Sequence, residues 1–77
     1  MKRRDHNIEG VEFTSSPMWS DDLQIWRILF TFRDDDGPLL DLVYYWPYKD
    51  EPASSDMDSL AVAACGAWMM SGIRRGW

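Results

Sequence analysis

The chain of 77 residues contains one cysteine, Cys65, and one histidine, His6. A single cysteine excludes an internal disulfide, and this sparse use is typical of proteins in a reducing cytoplasm. The sequence also lacks the spaced His and Cys ligands that define common metal sites. We therefore expect a cytoplasmic protein that folds without disulfides and binds no metal or other cofactor.

Long apolar segments are absent as well. No run approaches the ~20 apolar residues that a helix needs to cross a bilayer. The basic start, Met1 to Arg4, resembles the charged region of a signal peptide, but polar residues follow it where a signal peptide is apolar. The sequence therefore predicts a soluble protein without a membrane partner.

Patterns that support catalysis are also absent. The five glycines are scattered and form no phosphate-binding loop, and no serine lies in a nucleophile elbow. His6 lies in a polar N-terminal segment, which favours a solvated, inert side chain. Residues 34–37, Asp-Asp-Asp-Gly, resemble the start of a calcium loop but lack its downstream Glu, so we interpret them as a hairpin turn. Cys65 is expected to be a small buried apolar residue. We predict that the protein is not an enzyme.

Charge is unevenly distributed along the chain. The net charge is −5, yet five of the eight basic residues lie at the two ends. Between Asp5 and Asp58, three basic residues face all thirteen acidic ones, which leaves this segment at −10. An acidic segment of this kind repels nucleic acid and attracts a basic protein surface. Direct nucleic-acid binding is therefore not expected. Binding of nucleic acid through the two basic ends is the third alternative for the function.

Two segments in the middle of the chain alternate strictly between apolar and other residues. Such alternation places each apolar set on one face of a β-strand. A three-residue turn over Asp35, Asp36 and Gly37 would set Asp34 opposite Pro38, and the two apolar sets then coincide on one face. That register predicts four pairs: Phe32 with Leu40, Phe30 with Leu42, Ile28 with Tyr44 and Trp26 with Trp46.

The predicted fold is α+β, with a three-stranded antiparallel meander packed on one C-terminal helix in the order β-β-β-α. A capping box of Ser55 and Asp58 would begin the helix, and Arg74 and Arg75 suit the negative end of its dipole. The interior of this helix is apolar on nearly all sides, which favours self-association or a partner. The expected segments are a polar tail over 1–7 and one domain over 8–77, with strands at 8–14, 23–34 and 38–46, a loop at 15–22 and a helix at 55–75.

In this topology the loops after the first and third strands meet at one end of the sheet. There, acidic residues surround aromatic and Met side chains, an arrangement typical of an interface with an apolar anchor and a charged rim. Alternatively, Trp19 and Trp46 simply close the end of the core. The candidate partner-binding residues are Met18, Trp19, Asp21, Asp22, Tyr48, Asp50 and Glu51.

These features favour a non-enzymatic module that binds a larger protein with a basic surface and inhibits it by covering that surface. A protein that handles nucleic acid is one example of such a partner. In size and character the chain resembles the small inhibitors encoded by phages and mobile elements, such as anti-CRISPR proteins, although no motif is shared. The first alternative is an obligate assembly subunit or a homodimer.

Overall fold

The computed structural model describes residues 3–34 and 37–70, and in that part the fold is α+β. Four strands form one antiparallel sheet in the order β1-β2-β3-β4, and one helix follows them. The sheet has one strand more than predicted. The elements are β1 (Arg4–Ile8), β2 (Val11–Ser20), β3 (Ile25–Asp34), β4 (Gly37–Trp46) and α1 (Ser54–Met70).

Strand β1 corrects the prediction of a polar tail over residues 1–7. Its side chains alternate between half-buried and exposed, so the period of a strand is present, but two of the three inward positions carry the polar residues Arg4 and His6. A pattern based on apolar residues therefore missed it. A two-residue turn at Glu9 and Gly10 leads into β2, with φ values of 51° and 81° that suit a twisted hairpin.

Strand β2 extends through most of the predicted loop over 15–22. Ser and Pro residues there suggested a turn, yet Ser15 to Ser20 pair with β3. Pro17 lies opposite Ile28 and is buried. Strand β1 begins at Arg4, opposite Ser15, so within the described residues no strand pairs with the other side of β2 beyond Ser15, and Pro is tolerated where a strand lies at an edge.

The predicted register between the second and third predicted strands, 23–34 and 38–46, is confirmed. Trp26 pairs with Trp46, Phe30 with Leu42, and the other two predicted pairs also form. The turn was predicted wrongly, because Asp34 lies opposite Gly37 rather than Pro38, with an irregularity between Phe32 and Asp34. Asp35 and Asp36 of the predicted turn lie outside the described residues.

Helix α1 begins one residue earlier than predicted and uses a different cap. The Asp56 carboxylate accepts a hydrogen bond from the Ala53 backbone N–H at 2.9 Å, and the Met57 N–H donates to the Ala53 carbonyl at 3.1 Å. Ala53 is therefore the N-cap, and the predicted Ser55–Asp58 capping box is wrong. The helix is described to Met70, so its predicted continuation to residue 75, with Arg74 and Arg75, lies outside the described residues.

The core lies between α1 and one face of the sheet, here called the inner face. Phe32 stacks on Phe13 with ring centroids 4.5 Å apart and on Trp68 of α1 at 5.0 Å. A stripe on the helix meets this face: Met57, Ala61, Ala64, Cys65 and Trp68. The opposite, outer face of the sheet carries no other element within the described part of the chain.

Candidate functional site

A row of aromatic side chains crosses the end of the sheet that lies beyond the start of α1. Trp19, Trp26 and Trp46 are cross-strand neighbours on the inner faces of β2, β3 and β4. The Trp19 and Trp26 rings meet edge to face at 5.5 Å, and Tyr48 meets Trp46 in the same way at 5.1 Å. These four residues are called the aromatic row. Alternation in three paired strands is what aligns its tryptophans.

Two loops hold the aromatic row in place through its indole groups. The Trp19 Nε1–H donates to an Asp21 carboxylate oxygen at 2.8 Å, and the Trp46 Nε1–H donates to the Asp50 backbone carbonyl at 2.8 Å. The β2–β3 turn is itself closed, because the Gln24 N–H donates to the Ser20 carbonyl at 2.8 Å. The Trp19 and Trp46 indole donors are satisfied within the chain, so a partner could bury these two rings without leaving their N–H groups unpaired.

The same two loops give this end of the molecule its negative charge. Residues 21–24 and 47–53 contain four exposed carboxylates, and Lys49 is the one basic residue among them. Together with the aromatic row these loops are called the acidic aromatic end. The exposed acids are Asp21, Asp22, Asp50 and Glu51.

The structure brings most of the candidate partner-binding residues together, with one separated from the rest. Trp19 is 42% exposed and Tyr48 is 64% exposed, so neither side chain is buried in the core. Met18 lies on the outer face opposite Arg27, on the other side of the sheet from Trp19. Sequence reasoning missed Leu23, which is exposed in the β2–β3 turn. The predicted strand over 23–34 includes this residue, although its polar neighbours Asp22 and Gln24 are typical of a turn.

A second cluster joins β1 to the start of α1 and includes His6, which is not the solvated side chain expected. The Arg4 guanidinium donates to both Asp58 oxygens, at 3.0 and 2.8 Å. His6 shares a hydrogen bond with the Ser15 hydroxyl at 2.8 Å, and its other ring nitrogen lies 3.8 Å from Asp58. Burial lowers the pKa of His6 below its usual value of 6.5, although the Asp58 charge acts in the opposite direction.

In space, His6 lies between Ser15 and Asp58 as the histidine of a hydrolytic triad does, an arrangement that the sequence does not predict. The 3.8 Å between His6 and Asp58 is too long for the hydrogen bond of a triad. The Ser15 hydroxyl is 0% exposed, which leaves no path for an acyl group to reach the oxygen. A nucleophile must meet its substrate, and the contacts of this cluster instead join β1 and β2 to the start of α1.

Neither a metal cluster nor a membrane-crossing helix is found within residues 3–34 and 37–70. No three His, Cys, Asp or Glu side chains there converge on a point that could hold a cation. None of the helical residues in this part forms a segment long and apolar enough to cross a bilayer. Comparisons with known protein families, curated protein sequences and solved structures find no match to the chain.

Proposed function

We propose that this protein is a non-enzymatic binding module that covers a basic surface of a larger protein through its acidic aromatic end. The observation that carries the proposal is the position of Trp19 and Tyr48. Both rings are exposed at one end of the sheet, and exposed carboxylates flank them in two short loops. Aromatic side chains of this kind are enriched among the residues that dominate binding energy at interfaces.

The two components of this end have different physical roles. An aromatic ring that becomes fully desolvated contributes 2 kcal/mol or more as a hot spot, roughly a thirty-fold change in affinity. Charges at the rim mainly accelerate encounter and select partners of opposite sign. The loops at this end carry four acids against Lys49, so the partner surface that fits is basic.

Basic surfaces of this kind are typical of proteins that bind nucleic acid. A small acidic domain that covers such a surface competes with the nucleic acid for it, and this is how the module would inhibit. Antagonists encoded by phages and mobile elements are the class of protein that this proposal fits.

Direct nucleic-acid binding is the weaker candidate. Of the basic N-terminal residues, Arg4 is committed to Asp58 through two hydrogen bonds, and Arg3 lies 3.5 Å from Asp5. Arg4 is therefore not a free cation for phosphate, and Asp5 offsets part of the charge of Arg3. The remaining terminal basic residues, Lys2, Arg74 and Arg75, lie outside the described part of the chain.

The proposal is tested by quantitative affinity capture from a lysate of the source cell, with the wild type and two variants as bait. Tyr48→Ala removes an exposed ring and should preserve the fold. The matched control is Asp34→Asn with Asp35→Asn, which removes charge from the last residue of β3 and from the residue that follows it in the sequence. We expect one basic protein to be enriched by the wild type and the control and depleted with Tyr48→Ala.

The captured protein must then bind the purified chain directly. If the control variant loses the partner while Tyr48→Ala retains it, the binding surface lies elsewhere. If the captured protein carries no basic surface, or if capture requires nucleic acid, the proposal is wrong.

A further inference from the structure

The two edges of the sheet are unequal. Edge strand β1 has only five residues and includes the charged residues Arg4 and Asp5. Short length and charge both disfavour pairing with a further strand. Edge strand β4 has ten residues, of which Asp41 is the only charged one. Within the described part of the chain, β4 pairs with β3 on one side and with nothing on the other.

Apolar side chains are exposed along the second half of β4, on both faces of the sheet. Val43 and Tyr45 are 45% and 57% exposed on the outer face, and Tyr44 is exposed on the inner face. A long edge with exposed apolar residues and few charges is a template for another strand. Pro38 precedes this stretch, so a new ladder is confined to residues 40–46.

We infer that β4 pairs with β4 of a second copy of this chain, antiparallel and centred on Val43. A two-fold axis then passes between the two Val43 residues and joins two four-stranded sheets into one of eight strands. In this register Leu42 faces the second copy's Tyr44 on the inner face. On the outer face Asp41 faces the second copy's Tyr45.

Hydrogen-bond complementarity within this strand favours a second copy in this register. The only charged residue of the edge, Asp41, lies opposite a phenol that can donate a hydrogen bond to its carboxylate. A register centred on Asp41 would instead place the two carboxylates face to face, which is unfavourable. The antiparallel arrangement also keeps the two acidic aromatic ends at opposite ends of the joined sheet, whereas a parallel pair would bring them together. Because β1 is short and charged, assembly stops at the dimer.

The ladder ends at Trp46 of the aromatic row and includes neither Trp19 nor the acidic loops, and the inference does not depend on the proposed function. Sedimentation equilibrium at micromolar concentration should give about twice the chain mass of 9.0 kDa. Val43→Lys places two like charges at the two-fold axis, so this variant should be monomeric while its circular dichroism is unchanged. The matched control is Val62→Lys, the same substitution at an exposed position of α1, which should remain dimeric.

Cysteine cross-linking tests the register. Directly opposed strand residues have Cα atoms about 4.5–5.5 Å apart, a distance that a disulfide spans. Val43→Cys should therefore form a covalent dimer on oxidation. In Asp41→Cys the two new thiols are displaced by four residues, about 13 Å along the strand, so no cross-link should form. A monomeric wild type, a Val43→Lys variant that stays dimeric, or cross-linking through residue 41 would each overturn the inference.

Discussion

Phe30 and Thr31 are neighbours in β3 whose side chains lie on opposite faces of the sheet. Phe30 is buried against the core, and Thr31 is half-buried on the outer face. Phe30→Ala should lower the free energy of unfolding by about 3–5 kcal/mol, the usual cost of truncating a buried Phe. Thr31→Ala should cost less than about 1 kcal/mol. Urea denaturation of the two variants checks this, and equal losses would contradict the assignment of faces.

His6 should make stability depend on pH in a defined window. Burial lowers its pKa in the folded state, so the unfolded chain binds a proton more readily than the folded chain does. Stability conferred by neutral His6 is therefore complete above about pH 6.5 and declines as the pH falls from there toward the folded-state pKa. Ordinary carboxyl groups titrate at lower pH, so His6 is the side chain expected to dominate the change in stability in this pH range.

Urea denaturation at about pH 7.5 and about pH 5.5, on either side of the ordinary pKa of His, measures the effect. His6→Gln is the control, since it cannot take up the proton. The variant should lose stability at the higher pH because the buried Ser15 hydroxyl loses a partner. Its stability should then change little between the two pH values. A slope as large as that of the wild type would assign the pH dependence to other groups.

At the scale of elements, two glycines of the chain should respond oppositely to the same substitution. Gly10 has a φ of 81° in the β1–β2 turn, which an L-residue adopts at a cost of about 1–2 kcal/mol. Gly66 lies within α1, and a Cβ added there would meet no atom within 4 Å. Gly10→Ala should therefore destabilise the protein, whereas Gly66→Ala should stabilise it by about 0.5–1 kcal/mol.

Thermal unfolding of both variants followed by circular dichroism is sufficient to measure the difference. A decrease in melting temperature for Gly66→Ala would show that α1 packs more closely around residue 66 than the structure indicates.

The link between β1 and α1 depends on polar side chains, and this explains which elements could be predicted from the sequence. Strand β3 alternates apolar residues on its inner face, so its register with β4 was predictable pair by pair. In β1 the inward residues Arg4 and His6 are balanced by Asp58 and Ser15, which are distant in sequence. Local hydropathy contains no signal for such pairs. The second half of β2 was missed for a related reason. A proline such as Pro17 indicates a loop, and only the tertiary structure shows that β1 pairs with β2 no further than Ser15.

The acidic aromatic end was partly predictable for the same reason. Trp26 and Trp46 follow from alternation, and the acids of the two loops are evident in the sequence. Placing Trp19 beside Trp26 required the continuation of β2, which the loop prediction excluded. The separation of Met18 onto the outer face follows from that same continuation.

At the scale of the whole molecule, the sheet separates three surfaces. The inner face packs on α1, the outer face is free of other elements in the described part of the chain, and the acidic aromatic end lies beyond the start of α1. The segment from Asp5 to Asp58 has a charge of −10, against −5 for the whole chain, and such a field complements the basic partner surface of the proposed function. Binding at one end of the sheet and self-pairing along one edge are therefore compatible in the same molecule.

Binding kinetics with the captured partner, measured by surface plasmon resonance over a range of salt concentrations, tests the central claim most directly. Trp19→Ala should accelerate dissociation, because it removes an aromatic anchor, with a loss of about 2 kcal/mol. Asp21→Asn with Asp22→Asn should slow association and flatten its salt dependence, since rim charges steer the encounter. Asp34→Asn with Asp35→Asn should leave both rates unchanged. Loss of binding in that last variant, with normal rates for Trp19→Ala, would contradict the account.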